Sequence, residues 1–205
     1  AVVATAGAHA PQQSLFTPSK VAGGAAAVVG VAAASRVVMR STKGSGGFDD
    51  FDEEEANKPH PLRDAFDECE NLKIDELKLS AWKGTILQAP PGSQMEKKQA
   101  MAGRLAAVTG WYGKAFGAET DCQALVMKLG PLRFNAPLGL GDATMSHDGY
   151  RLRWSTIMRT SVEVRYKKQG EVVDYIRRKD ENTLMGVAVR GKDPLVFFEL
   201  ERLKE

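Results

Sequence analysis

The clearest signal in the chain is an alternation of apolar and polar positions through its C-terminal part. In "VEVRYK", Val162, Val164 and Tyr166 alternate with Glu163, Arg165 and Lys167, which predicts a strand with one dry and one wet face. "VFFELERL" behaves similarly, with Phe198, Leu200 and Arg202 on one side and Phe197, Glu199, Glu201 and Leu203 on the other. "CQALVMKLG", "YRLRWSTIM", "EVVDYIRRKDE" and "NTLMGVAVRGK" are further short runs of strand character. "KKQGE", "KDEN" and "RGKDP" divide the last of them as hairpin turns.

Upstream the period changes. Leu62, Ala65, Phe66, Cys69 and Leu72 approach helical spacing and predict a short amphipathic helix. "KLSAWKGTILQA" alternates again as a strand and stops at Pro90, Pro91 and Gly92. Ser93 followed by Glu96 reads as a capping box opening the best helix of the chain. Met95, Ala102, Leu105 and Val108 share its apolar face, and Gly110 is its expected C-cap. "GWYGKAFGAET" then reads as a glycine-punctuated loop, "GLGDAT" as a second loop, and His147 in "MSHDGY" as a turn residue. The expected fold is mainly β with helices (α+β). It is an antiparallel meander curling into a barrel, with one main helix after the first strand.

Composition adds a boundary. Residues 1 to 48 contain no Asp or Glu, and their basic residues are Lys20, Arg36, Arg40 and Lys43. An acid-free, hydroxylated, weakly basic segment is that of an organelle targeting leader, expected over 1–45 and addressed to a plastid (chloroplast) or, alternatively, a mitochondrion. "SLFTPSK" resembles the Phe-containing start of transit peptides in algae with secondary plastids. Residues 46–60 form an acidic linker in which Asp49, Asp50, Asp52, Glu53, Glu54 and Glu55 crowd together. A single barrel domain is expected over 61–205.

The chain has 205 residues, is 43% hydrophobic and 26% charged, and has a net charge of +2. That balance argues against nucleic acid as a partner. "VAGGAAAVVGVAAAS" is too rich in Ala and Gly to make a good membrane span, and none is expected in the folded domain. Cys69 and Cys122 lie in no metal-ligand spacing, and His9, His60 and His147 fit neither HxxxH nor HExxH, so no metal site is expected. No GxSxG, Cys–His or phosphate-loop pattern is present, and no catalytic residue is assigned. Asp174 in "VVDY" stands out because a carboxylate interrupts an apolar strand. Burial would require a partner, for which Arg153, Arg165 and Arg177 are the candidates.

"SAWKG" followed by "GWYGKAF" resembles the GXWXG family. The segment from Arg151 to Leu203, with "VVDYIRR", "ENTLMG" and "FFELERL", resembles the uncharacterised companion domain that follows that motif. The first motif glycine is Ser80 here, while Trp82 and Gly84 are kept. The tryptophan motif near the first strand is also similar to that of lipocalins and other calycin barrels, which implies a lipocalin-like barrel in which Trp82 closes one end against Arg202, with Gly84 in a structural role. Neither resemblance implies a transferable activity, and any cofactor is left unknown. The preferred function is binding of a small hydrophobic ligand of the lipid, pigment or tetrapyrrole class. Its candidate contacts are Trp111, Tyr112, Phe116, Trp154, Asp174 and Arg177. The alternatives are a scaffold protein of an organelle complex and an isomerase- or hydrolase-like enzyme using Asp174.

Overall fold

The computed structural model describes residues 60–148, 160–191 and 193–204. The expected leader, nearly all of the acidic linker, and the expected strand carrying Arg153 and Trp154 lie outside the described residues. Two short helices come first, α1 (Pro61–Glu68) and α2 (Ile74–Leu77). They are followed by β1 (Ser80–Ile86), α3 (Gln94–Thr109), β2 (Trp111–Phe116), β3 (Asp121–Leu129) and β4 (Leu132–Asn135). A 3-10 turn at Pro137–Gly139 leads to β5 (Asp142–Asp148), β6 (Ser161–Tyr166), β7 (Val172–Arg178), β8 (Thr183–Arg190) and β9 (Asp193–Arg202).

The strands pair antiparallel in the cyclic order β1-β2-β3-β5-β6-β7-β8-β9, and β9 returns to β1, so eight strands close a barrel. Closure removes the exposed edges that an open meander would leave. β4 stands outside the ring as a hairpin partner of the far end of β3. The main helix after the first strand, the meander and the barrel all match the expected fold class.

Three segments differ from the sequence reading. Residues 111–116 are strand β2, not loop. Gly113 is what permits the pairing: a Cβ there would stand 1.9 Å from the carbonyl oxygen of Trp82 on β1, and its φ is 156°. The glycine that looked like a breaker is a close-approach position on an irregular, bulged strand. His147 and the end of "GLGDAT" belong to β5, not to a turn and a loop. β4 is four exposed residues in which Leu132 and Phe134 alternate with Arg133 and Asn135, too short a run to predict a strand from.

Helix α3 ends as expected, with Gly110 in the left-handed region donating its N–H to the carbonyls of Ala106 and Ala107. Its start also falls as expected, with Ser93 at the N-cap, but the capping box does not form: Ser93 Oγ donates back to Pro90 O, and Glu96 accepts from the N–H of Gly92. Val108 is exposed, not part of the packed face. The helix is instead anchored by buried Gln99, whose Nε2 donates to Phe197 O (3.0 Å) while Phe197 N donates to its Oε1 (3.1 Å). Gln99 thus bonds both backbone groups of a residue on β9 at the end of its pairing with β1, where Leu87 N also donates to Phe197 O (3.0 Å).

Two apolar layers result. One fills the barrel, with Trp82, Phe116, Met145, Val162, Val164, Ile176, Leu184, Phe198 and Leu200 directed inward. The other lies outside β7, β8 and β9, where Phe66 and Cys69 from the α1 region and Met95 cover Tyr175, Met185, Val187 and Phe197. Glu163, expected on a wet face, is buried on the outer side with its carboxylate paired to Arg165.

Candidate functional site

Among the described residues, charged side chains meet in the barrel interior at one place. Lys114 on β2 extends its ammonium to Asp174 on β7, with Nζ 2.6 Å from Oδ2. In the cyclic order these two strands are four apart in a ring of eight, so the pair crosses the lumen from wall to wall. Tyr166 on β6 donates its hydroxyl to the same Oδ2 (2.7 Å). Lys114 also donates to Tyr166 Oη (3.2 Å) and to Ala124 O on β3 (3.1 Å). The three ammonium protons therefore have three acceptors. The ring of Phe198 lies 5.0 Å from Nζ and adds a cation–π contact.

Lys114 and Asp174 are almost completely buried, so both charges have left water. Attraction at contact distance offsets that desolvation only with well-placed hydrogen bonds, and the triad supplies them. Burial pushes the phenol of Tyr166 well above its ordinary range, and the neighbouring Asp174 charge pushes it the same way. Tyr166 therefore remains a neutral donor. Cys122, also in the lumen, is pushed up to about 12 by burial, which outweighs the opposing pull of Lys114. It is a neutral thiol, not a nucleophile.

The two barrel ends differ. At one, Leu72, Ile74 and Leu77 of the α2 region pack against the interior next to Trp82. Ser80 has a bonding role of its own: its Oγ accepts from Trp82 Nε1 (2.7 Å) and donates to Leu77 O. The serine thus ties the tryptophan to the segment that stops this end. Arg202, the register partner of Trp82, holds its Cζ 5.5 Å from the indole ring. At the other end, Ile86, Trp111, Leu125, Leu195 and Val196 form a half-buried apolar rim. The Trp111 ring lies in the space left by Gly84, where a Cβ would come within 2.3 Å of Cη2. It meets Phe198 edge-on at 6.1 Å, and its Nε1 is buried with no hydrogen-bond partner.

Of the expected contacts, Asp174, Phe116 and Trp111 reach the barrel interior. Tyr112 does not join them: its ring lies beneath Lys128 and Arg133 at the β3–β4 hairpin. Arg177 is on the opposite face of β7 from Asp174, as strand alternation requires. There it binds Ser161 Oγ (3.0 Å), Phe66 O (3.2 Å) and Asp67 Oδ1 (3.1 Å), fastening α1 to the barrel. Arg165 also points away from Asp174 and pairs with Glu163. Arg153 and Trp154 lie outside the described residues. The partner of Asp174 is Lys114, which the loop reading of "GWYGKAF" hid. Read as a strand, Lys114 and Phe116 fall on one face, and that alternation was available.

No family model matches the chain, and no curated protein matches it. A protein from Thermomonospora curvata, known from its crystal structure, is similar at a TM-score of 0.53 and 22% identity. The similarity covers 69% of this chain and 85% of that one. At that identity it shows the barrel fold alone. Among the described residues no cluster of three His, Cys, Asp or Glu is placed to hold a metal, and no helix is long and apolar enough to cross a membrane.

Proposed function

We propose that the protein binds a small hydrophobic ligand, of the lipid, pigment or tetrapyrrole class, at the rim end of the barrel. The observation that carries this reading is a charged floor beneath an apolar rim. Lys114, Asp174 and Tyr166 form the floor, and Ile86, Trp111, Leu125, Leu195 and Val196 form the rim. Binding sites of this class combine an apolar lining with a few fixed polar groups. The unpartnered Trp111 Nε1 supplies a donor for an acceptor atom of the ligand. Membership of the GXWXG family and residence in a plastid are part of the same proposal.

A second reading has its own support. Trp111 occupies the space over Gly84 and Phe198 that over Gly186, which favours a side-chain-filled barrel acting as a scaffold in a complex. The enzyme reading loses ground, because a base role for Asp174 conflicts with its pairing to Lys114 and Tyr166. The deciding experiment exposes the stripped protein to organelle extract and looks for a retained small molecule by native mass spectrometry. A defined adduct that weakens in Trp111→Ala and Asp174→Asn supports binding. A bare protein that comigrates with a large complex on native gels rejects it in favour of the scaffold.

A further inference from the structure

Of the described strands, β4 is the one that barrel closure does not use, and it pairs with the far end of β3 as a hairpin. Residues 122–141 contain no acidic side chain, but they contain Lys128 and Arg133. The same stretch exposes Leu129 (68%), Leu132 (49%), Phe134 (41%) and Leu138 (70%). Register explains how the two kinds of residue are sorted. Lys128 pairs with Arg133, while Leu129 pairs with Leu132 and Met127 with Phe134. Paired residues share a face and successive pairs alternate, so the hairpin has one cationic face and one leucine face. Tyr112 holds the two cations together, 5.3 Å from Lys128 Nζ and 4.5 Å from Arg133 Cζ. Met127 is also the register partner of Trp111, so the leucine face runs on from the rim of the barrel. Leu138 adds an exposed side chain on a residue with φ of 59°, a conformation rarely adopted by leucine.

We propose that this hairpin docks on an anionic lipid bilayer, with Leu129 and Leu132 entering the headgroup region and Lys128 and Arg133 meeting the lipid charge. Apolar tips flanked by basic residues on an acid-free stretch fit that surface. A second copy of the chain fits it less well. Two β4 edges pairing antiparallel would bring their Arg133 side chains within a residue or two of each other, and like charges repel there. The inference does not depend on the lumen holding a ligand.

The test is cosedimentation of the full chain with phosphatidylcholine vesicles, with and without phosphatidylserine. Binding at least about tenfold tighter to the anionic vesicles, weakened by added salt, is expected. Lys128→Glu/Arg133→Glu should abolish the anionic preference, and Leu129→Ser/Leu132→Ser should weaken binding by about tenfold. Melting curves check that both variants keep the fold. Three results overturn the proposal: no binding by the native chain, equal binding of both vesicle types, or hairpin variants that bind as the native chain does. A native dimer that the hairpin variants convert to monomer also overturns it, in favour of a second copy.

Discussion

The Lys114–Asp174 pair makes a quantitative prediction, because its two members stand on opposite walls of the barrel and share one set of hydrogen bonds. Lys114→Met leaves the Asp174 carboxylate buried with only the Tyr166 hydroxyl of its triad partners. Asp174→Leu leaves a buried ammonium bonded to Ala124 O and Tyr166. Removing one partner of a buried pair costs about 3–5 kcal/mol. For a domain of this size that lowers Tm by roughly 10–20 °C. The double variant removes both charges and fills the space with apolar groups, leaving the Tyr166 hydroxyl without its acceptor and its donor and Ala124 O short of one donor. An unsatisfied buried group costs about 1–3 kcal/mol, so the double variant should lose far less than the two singles together. A coupling energy of about 3 kcal/mol or more is expected. Urea unfolding followed by circular dichroism, at matched m-values, gives the four free energies of the cycle. Additivity to within about 0.5 kcal/mol would refute the reasoning, since it would mean the two side chains do not meet across the lumen.

Other expectations are simpler to state. Gly84→Ala should push Trp111 off its seat, costing about 1–3 kcal/mol and shifting tryptophan emission to the red; unchanged emission and stability would contradict the close approach at 2.3 Å. Cys122 has its folded-state value raised from 9.0 to about 12, so its contribution is complete below pH 9 and is lost as pH rises toward 12. Stability should fall there by up to about 1.4 kcal/mol per pH unit, and Cys122→Ala should flatten the loss in denaturant titrations across that window. Tyr166, raised for the same reason of burial, should add to the fall above pH 10. Arg202→Ala should remove the contact on Trp82 at a cost of only about 0.5–1 kcal/mol, because Arg202 is exposed; a larger loss in a thermal melt would mean the arginine does more than cover the indole.

The sequence made the barrel legible through the apolar positions and turn residues of the hairpin-linked strands β6 to β9, and the resemblance to calycin barrels supplied the Trp82–Arg202 match. Alternation alone did not show that α1 and Met95 bury the outer side of β7 to β9 as well. The sequence failed where glycine serves contact instead of flexibility. Gly113 lies in β2 because β1 passes too close for any side chain, and one chain considered alone does not announce its neighbour. That error propagated to the site, because placing Lys114 in a loop left Asp174 to be matched with arginines on the wrong side of the sheet. Arg177 shows the same limit from the other direction. Its neighbours in "YIRR" do not reveal that α1, more than a hundred residues earlier, covers the outer face and accepts its hydrogen bonds.

The cross-lumen pair links the two leading readings thermodynamically. A ligand that leaves Lys114–Asp174–Tyr166 intact must gain its affinity from the rim, where Trp111 has to yield its place over Gly84. A ligand whose head group bonds to the triad instead competes with the forces that hold β2 to β7. The first kind stabilises the barrel by the full mass-action term, whereas the second gives part of that gain back in broken internal bonds. Thermal shift and affinity should therefore agree for a rim ligand and diverge for a ligand that engages the triad. In Lys114→Met/Asp174→Leu the internal bonds are already gone, so that divergence disappears. A side-chain-filled scaffold would show no ligand-dependent shift in either background, which makes the double variant informative about function as well as stability.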